Sequence, residues 1–574
     1  MAATRRWVEV DGLEEGSAAR LAGALGLHPL AARALAARGF SDPVLASRFL
    51  SPRLEDLPDP FTMKGMEGAV ARIVRAVEEG QRIACYGDYD VDGVTSTVLL
   101  SGFLRAAGAD VTTYIPHRLV EGYGLNGAAV ERLAEAGVNL IVTLDCGITS
   151  VAEVAEAARR RVDVVVVDHH TVPVELPAAT AILNPHQDGC GYPSKHLAAV
   201  GVTFNLALAL RKRLRERARF GPARPEPNLR EALDLVALGT VADVVPLLEV
   251  NRLLVRHGLA ELGKARRPGI RALLRVAGVA TGEVTAAQVG FRLAPRVNAA
   301  GRLDDAGRGV RLLSTSDPAV ADALAEELDR ENRARQEIER LMLEEALSDA
   351  AERVSAGARG LVLSRPGWHP GVVGIVAARV VDRFHRPAVL VGVAGGVGKG
   401  SGRSISAFHL HDALAACAGN LVKFGGHRHA AGITIAPESI PAFREAFERH
   451  AASVLREDDL VPHTRIDGWV DPETLDDRAA TDLEKLAPFG AGNPEPVFGV
   501  RARPSRARQV GAAGVHLKLA LADRDAIAFQ MGDRLSLCAG TVEAAVSLGF
   551  DDWDGMRRLQ LRVRDLRAAP PSVA

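Results

Sequence analysis

A regular alternation of short β-branched runs with helical segments begins near residue 81 and limits the possible folds more than any other feature. The runs read RIACY, DVTTYI, NLIVTL and DVVVVD, and helical patterns near residues 127–137 and 149–160 lie among them. Strands that alternate with helices form parallel, doubly wound sheets. Ligands bind such sheets beyond the carboxyl ends of the strands, so functional residues are expected there.

Composition excludes several classes of protein. The chain has 574 residues, enough for roughly three to five domains, and its 47% hydrophobic and 25% charged content is ordinary for a globular protein. No apolar run reaches about 18 residues, and the start, MAATRRWVEVDGLEEG, lacks the apolar part of a signal peptide. The five cysteines form no C-x-x-C pair. We therefore expect a cytoplasmic protein without a membrane partner, structural zinc or a disulfide framework.

Changes of pattern along the chain predict five parts. Ser316 as N-cap, Pro318 in the first turn, and apolar residues four apart predict one long charged helix that bridges two domains. Five short strands within roughly seventy residues beyond residue 500 fit a small barrel of the OB type. The parts are a helical region (1–75), the doubly wound domain (76–315), the linker helix (316–353), a second α/β domain (354–455) and the β domain (456–574).

The stretch CYGDYDVDG places Asp88, Asp90 and Asp92 directly after the first predicted strand. An EF-hand loop would have the same D-x-D-x-D-G pattern, but it requires a glutamate at position 12, and that position holds Leu99. The segment after Gly93 also continues as one amphipathic helix. The stretch therefore predicts metal-binding carboxylates at a strand end, joined by further acidic or imidazole groups from elsewhere.

Such groups follow other apolar runs. Asp145 comes after NLIVTL, Asp168, His169 and His170 come after DVVVV, and Asp243 lies in LVALGTVADVV. A parallel sheet would bring the ends of these runs to one edge. Helix capping is the alternative for a single aspartate at a strand end, but it explains neither the triple aspartate nor the histidine pair. The excess of ligands predicts two metal ions that share a carboxylate, a geometry suited to phosphoester hydrolysis.

The donor types indicate which metal. Carboxylates and imidazole without thiolate suit Mn²⁺, and Mg²⁺ is possible although it binds imidazole less readily. We therefore expect two divalent ions, with Mn²⁺ preferred.

The ordered motifs GDYDVDG, LDCG, VDHH and GTVADVV resemble those of the DHH phosphoesterase superfamily. Further stretches, among them IPHRLVEGYGL, WHPGVVGIVAARV, GKGSGRSI, FGGHRHAAG and LAPFGAGNPEPVF, resemble the bacterial RecJ family of single-strand DNA exonucleases. The resemblance runs from about residue 50 to about residue 500, with a weaker match in the β domain beyond. It implies a DHH catalytic domain, a DHH-associated substrate domain and an OB-like nucleic-acid-binding domain.

The resemblance also implies an activity: cleavage of single-stranded DNA from the 5′ end toward the 3′ end, releasing mononucleotides, in DNA repair and recombination. The residues that match the metal ligands of the superfamily are Asp90, Asp92, Asp145, His169 and Asp243. By this resemblance Asp145 is the ligand that the two metals share. Asp88 either binds a metal directly or supports a residue that does. His170 is placed against the scissile phosphate or the leaving oxygen, and Asp145, His169 and His170 form the catalytic group.

Two glycine-containing stretches of the second α/β domain are candidates for binding phosphate. GKGSGRS contains Ser401 and Arg403, and FGGHRHAAG contains Gly425, Gly426 and His427. Glycines let backbone N–H groups approach a phosphate, and arginine can hold it with two hydrogen bonds. The alternative for GKGSGRS is an ordinary surface turn; FGGHRHAAG also resembles the substrate motif of the DHH-associated domain.

Further candidates lie in the doubly wound domain. PRVNAAGR supplies Arg296, Asn298 and Arg302 as substrate-binding residues, with helix capping and interdomain salt bridges as the alternative. Arg118 follows a strand end in IPHRLVEGYGL. We hypothesise that Arg118, together with the serine and arginine of GKGSGRS, recognises a 5′-terminal phosphate, because an exonuclease needs a positive pocket that reads the end.

Bulk charge gives no support for nucleic-acid binding, because the net charge is −1 and aromatic residues make up 4%. Basic runs at residues 501–508 and 557–564 could line a groove for single-stranded DNA in the OB-like domain, whereas RKRLRERAR (211–219) is interpreted as a surface helix. From the family we expect a single-strand-binding protein and a RecQ-type helicase as partners, a monomer, and association with the bacterial nucleoid during activity.

Two alternatives remain. Other DHH proteins hydrolyse pyrophosphate, cyclic dinucleotides or short RNA, but they are generally smaller. A non-catalytic DNA-binding scaffold would be expected to have lost carboxylates, and this chain keeps every acid and both histidines of the motifs.

Overall fold

The computed structural model describes residues 5–10, 14–118, 120–303, 305–551 and 556–570. Backbone contacts divide the chain into two compact units. We call residues 44–333 and 486–495 the core unit, and residues 1–43, 334–485 and 496–574 the composite unit. The five-part division expected from the sequence stays a prediction.

The strands are, in chain order, β1 (Arg6–Glu9), β2 (Arg82–Gly87), β3 (Asp110–Tyr114), β4 (Leu140–Leu144), β5 (Asp163–Val167), β6 (Ala181–Leu183), β7 (Leu361–Pro366), β8 (Ala388–Ala394), β9 (Val397–Arg403), β10 (Lys423–Gly426), β11 (Ala430–Ile435), β12 (His463–Ile466), β13 (Phe498–Ala502), β14 (Ser505–Val510), β15 (His516–Leu521), β16 (Arg524–Ala528), β17 (Val542–Asp551) and β18 (Arg558–Ala568).

The α-helices are α1 (Ser17–Leu25), α2 (Pro29–Ala36), α3 (Pro43–Leu50), α4 (Met66–Glu78), α5 (Val91–Ala106), α6 (Gly127–Glu135), α7 (Val151–Arg159), α8 (Ala199–Glu216), α9 (Leu233–Ala242), α10 (Glu249–Gly263), α11 (Pro268–Val276), α12 (Ala286–Gln288), α13 (Ala294–Leu303), α14 (Gly307–Ser314), α15 (Pro318–Ser355), α16 (Val373–Phe384), α17 (Leu410–Ala416), α18 (Ile440–Val454) and α19 (Asp477–Glu484). A π-helical turn, Val289–Leu293, joins α12 to α13.

The core unit is built on a parallel sheet with strand order β3-β2-β4-β5-β6, as the alternating pattern predicts. Alternate residues of β2 enter two different apolar clusters: Ile83 and Cys85 pack with α4, α5 and α8, whereas Ala84 and Tyr86 pack with α6 and α7. Helices cover both faces, which explains why the central strands β4 and β5 are almost continuously apolar rather than alternating. The short strand β6 is an addition to the four expected.

The long helix α15 is continuous over 38 residues. Ser316 is not its N-cap: the carboxylate of Asp317 accepts hydrogen bonds from the backbone N–H groups of Ala319 at 2.8 Å and Val320 at 3.5 Å. Aspartate immediately before Pro318 can reach both free N–H groups, whereas Ser316 stands one residue too early. Apolar residues in the first half of α15 belong to the core of the core unit, and those in the second half belong to the core of the composite unit.

The composite unit contains two larger sheets. One has the order β10-β11-β9-β8-β7, with β7 and β8 parallel and the other neighbours antiparallel, and it packs with α16, α17 and α18. The other has the order β13-β17-β18-β16-β15-β14. The expectation of five strands here was wrong, because residues 501–510 contain Pro504, which ends β13 and separates it from β14. These two strands occupy opposite edges of the sheet.

Near the N-terminus, β1 pairs in parallel with β12, and this strand was not part of the helical expectation for residues 1–75. Within the described residues, no helix is both long and apolar enough to span a bilayer.

Candidate metal centre

The acidic residues that follow β2, β4 and β5 meet at the carboxyl edge of the parallel sheet. Each continues the ladder by one hydrogen bond: Asp88 N–H donates to Leu144 O at 3.0 Å, Asp145 N–H to Val167 O at 2.9 Å, and Asp168 N–H to Leu183 O at 2.9 Å. The backbone therefore fixes these residues side by side. Asp145 has a φ of 66°, a left-handed conformation that residues other than glycine seldom adopt and that is often found at functional sites.

The loop from β2 to α5 holds its aspartates by different contacts. Asp90 caps α5, because its Oδ1 accepts the N–H groups of Asp92 at 2.9 Å and Gly93 at 3.1 Å. The carboxylate of Asp92 accepts the N–H groups of Ala199 at 2.7 Å and Val200 at 2.8 Å, at the start of α8. A side chain at Gly93 would collide with the backbone of Asp88. Helix capping thus accounts for one oxygen of Asp90 and leaves Asp88 unexplained.

Asp243 reaches the same place by another route. The apolar run before it is α9, a buried helix, so it does not end a strand of the sheet. An apolar run of this length does not reveal whether it is a strand or a buried helix. Asp243 nevertheless lies beside the other acids, with its Oδ2 3.5 Å from His169 Nε2. The strand end was wrong, and the role of Asp243 as a metal ligand stays a prediction.

The side chains of these residues converge on one small volume. His169 Nε2 lies 3.2 Å from Asp145 Oδ1, 3.5 Å from Asp243 Oδ2 and 3.9 Å from Asp92 Oδ2. Three overlapping groups have ligand atoms within 4.8 Å of one another: Asp88, Asp90 and Asp145; Asp92, His169 and Asp243; and Asp145, His169 and His170.

Four buried atoms of this cluster have no hydrogen-bond partner among the residues that the structure describes: Asp88 Oδ1, Asp145 Oδ1, His169 Nε2 and Asp243 Oδ2. A buried polar atom without a partner costs roughly 1–3 kcal/mol, and more when it carries charge. Cations would satisfy all four. Oxygen donors with one or two imidazoles suit Mn²⁺ and also Mg²⁺, so the residues present fit a pair of such ions.

Burial and mutual repulsion dominate the electrostatics. Burial, followed by the charge of Asp90, raises the pKa of Asp92 to about 7 and raises that of Asp88 well above its ordinary value. Burial and neighbouring carboxylates also raise the pKa values of Asp145 and Asp243. So many carboxylates can be ionised together only beside cations.

His169 is electrostatically suited to bind a metal. Burial, and then the neighbouring His170, lower its pKa to about 4. The imidazole is therefore neutral near pH 7 and offers the lone pair of Nε2.

Asp168 orients His170 rather than joining the cluster of ligands. Its Oδ1 lies 2.7 Å from His170 Nδ1 and also accepts the N–H groups of His169 and His170, while Oδ2 accepts the N–H of Ile148 at 3.0 Å. Burial would lower the pKa of His170, but the hydrogen bond and charge of Asp168 outweigh it and raise that pKa.

Tyr123 was not singled out from the sequence. Its hydroxyl donates to Asp145 O at 3.3 Å and lies 3.2 Å from His170 Nδ1. Its ring stands edge-on to those of His170 and Tyr89. The glycines on either side of it, Gly122 and Gly124, have φ values of 83° and 86°, so the stretch EGYGL is the signal that could have revealed this residue.

Comparison with known proteins adds an independent observation. The model of the DHH family N-terminal domain matches residues 82–240, that of the DHHA1 domain matches 357–453, and that of the RecJ OB domain matches 466–565. The single-stranded-DNA-specific exonuclease RecJ of Bacillus subtilis is 38% identical over 574 residues, which cover 98% of this chain and 71% of that protein. The chain belongs to the RecJ family.

Two solved RecJ structures support the same conclusion. The crystal structure of RecJ from Thermus thermophilus in complex with Mn²⁺ superposes with a TM-score of 0.84 at 35% identity, covering 98% of this chain and 80% of that one. The structure in complex with Mg²⁺ has a TM-score of 0.78 at 33% identity, covering 98% and 79%. The Thermus thermophilus protein thus binds the two ions that the donor set of this chain suits.

Three of the four expected substrate residues of the core unit interact with the loop that carries Asp88 and Asp90. The guanidinium of Arg118 stacks 4.7 Å above the ring of Tyr89, the residue between two of the clustered aspartates. Asn298 Oδ1 accepts the N–H of Val91 at 3.2 Å. Arg302 is half-buried, and its positive charge opposes the rise in the pKa of Tyr89 that burial causes. In this RecJ-family chain, α13 therefore supports the loop that carries Asp88 and Asp90.

Arg296, on the same helix, is held by the protein itself. Its Nε donates to Asp329 Oδ1 at 2.9 Å, Nη1 to Arg292 O at 2.5 Å and Nη2 to Val276 O at 3.3 Å. The partners all belong to the core unit, so these contacts fix α13 within it.

Ser401 and Arg403 lie against the first turn of α16 in the composite unit. Arg403 Nη1 donates to Ser401 Oγ at 3.0 Å and to Gly402 O at 2.8 Å. A Cβ at Gly374, the second residue of α16, would come within 2.9 Å of Ser401 Oγ and 3.2 Å of Arg403 Nη2. A helix N-terminus beside a serine and an arginine is suited to bind an anion.

The β10–β11 hairpin carries Gly425, Gly426 and His427, all of them exposed. Gly426 has a φ of 143°, and a Cβ there would lie 2.5 Å from Ala430 O. A Cβ at Gly425 would meet no atom of the described residues within 4 Å. The backbone N–H of His427 donates to Ala430 O at 2.8 Å. Gly426 is thus required by the hairpin itself, and the space over Gly425 is open.

Proposed function

We propose that the chain is a single-stranded-DNA-specific exonuclease that hydrolyses phosphodiester bonds with two divalent metal ions at the edge of the parallel sheet. The single observation that supports this most directly is the set of four buried ligand atoms without hydrogen-bond partners. The RecJ relatives, matched over nearly the whole chain, support the substrate.

We assign the ligands as follows. Asp145 would be the ligand shared by the two ions: like His169 it belongs to two of the three converging groups, but only its carboxylate has two oxygens to offer. His169 contributes a neutral imidazole, and Asp243 contributes a carboxylate from the end of α9. The full proposed set is Asp88, Asp90, Asp92, Asp145, His169 and Asp243. Mn²⁺ is preferred over Mg²⁺ because the set includes imidazole.

The mechanism divides between metals and side chains. When bound, the two ions lower the pKa of a water and offset the charge that develops on the phosphate. Asp168 accepts a hydrogen bond from His170 Nδ1, which leaves Nε2 to face the scissile phosphate or the leaving oxygen. Tyr123 restrains the ring of His170 from its edge. Asp145, His169 and His170 thus form the proposed catalytic group.

Cleavage proceeds in the 5′ to 3′ direction and releases mononucleotides. We assign recognition of the 5′ phosphate to Arg118, Ser401 and Arg403. The helix N-terminus beside Ser401 and Arg403 supports this role. Arg403→Ala should reduce the preference for 5′-phosphorylated over 5′-hydroxyl ends, measured as the ratio of initial rates on the two strands; an unchanged ratio would remove Arg403 from the assignment.

Further residues are proposed to hold the strand. Gly425 and Gly426 would admit the sugar–phosphate backbone, and His427 would donate to a phosphate. On α13, Arg302 would contact DNA. Its neighbours Arg296 and Asn298 would act through the helix and the loop that they fix.

The cellular setting is proposed on the same basis. We propose a cytoplasmic bacterial enzyme, monomeric and associated with the nucleoid when it acts in repair and recombination. A single-strand-binding protein and a RecQ-type helicase would supply its substrate. The five-part division given by the sequence is retained, with the basic runs of the OB-like domain tracking the strand.

The decisive experiment is a time course on a 3′-labelled and a 5′-labelled single strand with a 5′ phosphate, in Mn²⁺, Mg²⁺ or EDTA. Mononucleotides should be released first from the 5′ end, and EDTA should abolish release. Asp145→Asn should lower the rate by a factor of about a thousand or more. Asp110→Asn is the matched control, because Asp110 is the first residue of β3 and lies at the amino ends of the strands, away from the metal cluster at their carboxyl ends. Cleavage of short RNA or cyclic dinucleotides, without cleavage of DNA in either metal, would contradict the assignment of single-stranded DNA as the substrate.

A further inference from the structure

Asn251, in the first turn of α10, connects a loop that supports Asp92 with the loop that follows Asp243. Its side chain is almost completely buried, with 1% of the residue exposed. Its Nδ2 donates hydrogen bonds to His196 O at 2.5 Å and to Pro246 O at 3.0 Å. His196 lies shortly before α8, and Pro246 lies three residues after Asp243. The exonuclease proposal assigns no role to this side chain.

The loop before α8 leads directly to the groups that hold Asp92. The first backbone N–H groups of α8 belong to Ala199 and Val200, and they donate to the carboxylate of Asp92 at 2.7 and 2.8 Å. The positive end of the helix dipole therefore faces this carboxylate. His196 stands three residues before Ala199, so the hydrogen bond to its carbonyl limits how far the start of α8 can move.

The loop after Asp243 has a strained backbone that needs outside support. Val244, the next residue, has a φ of 62°, which β-branched residues rarely adopt, and 70% of it is exposed, so its own packing does not impose this conformation. Such strain persists only where the surrounding structure determines it. Two hydrogen bonds provide that support: the one to Pro246 O, and one from Leu247 N–H to Ala491 O at 2.8 Å.

The two acceptors require a short side chain that carries two donors. Both are carbonyl oxygens, so the NH₂ group of Asn251 faces them, and an oxygen in its place would be repelled. Oδ1 has no hydrogen-bond partner among the residues that the structure describes, so the polar contacts of this amide are those of Nδ2. Helix α10 is itself closely packed: a Cβ at Gly258 would lie 2.3 Å from Leu233 O of α9. The amide is therefore held on a fixed support.

We infer that Asn251 is a positioning residue for one of the two metal ions, because it sets the separation of Asp92 and Asp243 by joining their loops. These two acids and His169 form one group of converging ligand atoms, whereas the group around Asp88 does not include them. Affinity for one ion should therefore depend on this amide more than affinity for the other. The inference deepens the proposed function and rests on its assignment of the ligands.

Loss of the amide should act mainly on Asp243. The strain at Val244 could then relax, and Asp243 Oδ2 would move from its place 3.5 Å from His169 Nε2. Asp92 should move less, because two N–H groups of α8 still hold it. Residues that support metal ligands typically change metal affinity or activity by about 10- to 100-fold. A purely structural role would lower stability without acting on one ion more than on the other.

The test measures the binding of Mn²⁺ to the full chain by calorimetry, after metal has been removed with EDTA. One variant is Asn251→Ser, whose hydroxyl can donate one hydrogen bond but not two. The other is Asn251→Asp, which keeps the shape of the side chain but places an oxygen against both carbonyls. The matched control is Asn205→Ser: Asn205 is also buried, and its Nδ2 donates to Gly201 O at 2.9 Å within α8. Thermal melting in EDTA checks that each variant is folded.

We expect Asn251→Ser and Asn251→Asp to weaken the binding of one Mn²⁺ ion about tenfold or more and that of the other less than about twofold. Asn205→Ser should bind both ions as the wild type does. Excess Mn²⁺ should restore most of the rate of DNA degradation in Asn251→Ser, with KM for DNA unchanged. Unchanged Mn²⁺ affinity, an equal loss for both ions, or an equal loss in Asn205→Ser would overturn the inference.

The wild-type chain separates this inference from the proposed function. If the wild type binds two Mn²⁺ ions but does not degrade DNA, the exonuclease proposal fails, and the Mn²⁺ affinities of the variants still decide the role of Asn251. If the wild type degrades DNA and Asn251→Ser binds both ions equally well, the inference alone fails.

Discussion

At the scale of single residues, Asp168 shows how a buried carboxylate can serve a metal site without being a ligand. Both of its oxygens are engaged, three contacts going to the His169–His170 segment and one to Ile148. Burial alone would raise the pKa of Asp168, but the hydrogen bond and charge of His170 lower it. The residue is therefore ionised at neutral pH and sets both the orientation and the tautomer of His170.

Asp168→Asn should slow turnover by roughly 10- to 100-fold, because the amide keeps the shape but loses the charge that holds the Nδ1 proton. The loss should appear in kcat more than in KM. Initial rates against substrate concentration, with Mn²⁺ binding measured by calorimetry, separate this effect from loss of metal. His170→Ala is the comparison: the double variant should be no slower than His170→Ala alone. Additive losses would mean that Asp168 acts independently of His170.

At the scale of elements, the β10–β11 hairpin contains one glycine that the fold requires and one that only a bound substrate would require. Gly426 is crowded by the backbone of Ala430 and Ala431, whereas Gly425 faces open space. Both are glycines in the same strand, one residue apart. The pair is therefore a built-in control for the proposed binding of the DNA backbone.

Gly426→Ala should lower the free energy of unfolding by roughly 1–3 kcal/mol, since alanine is strained at a φ of 143° and its Cβ meets the opposing strand. Gly425→Ala should leave the melting temperature unchanged and raise KM for single-stranded DNA several-fold, because the methyl group occupies the space left for the strand. Thermal melting and steady-state kinetics of both variants make the comparison. Wild-type KM in Gly425→Ala would argue against DNA at this hairpin.

At the scale of the whole molecule, the features that could be predicted from the sequence are those that a local pattern determines. Strands alternating with helices predict the parallel sheet. Acids at the ends of apolar runs predict a cluster around Asp145, because parallel strands end at one edge. The pairing of β1 with β12 has no such signal, since the two strands are far apart in the sequence, at Arg6–Glu9 and His463–Ile466. The partners of Asp168 and Tyr123 likewise depend on tertiary placement. The apolar run before Asp243 was predicted to be a strand because buried helices and buried strands have similar apolar sequences.

The stability of the chain should depend on pH and divalent metal together. The pKa of Asp92 is raised from 3.8 to about 7, and those of Asp145 and Asp243 are also raised, so the folded protein holds protons that the unfolded chain releases. Without metal, this contribution to stability is complete below the ordinary carboxylate pKa and is lost as pH rises through about 7. Mn²⁺ should therefore raise the melting temperature more at about pH 8 than at about pH 5.5, where it must displace protons. Scanning fluorimetry with Mn²⁺ or EDTA measures the difference, which Asp145→Asn should reduce and Asp110→Asn should not. A metal effect of equal size at both pH values would contradict the assignment of these carboxylates as ligands.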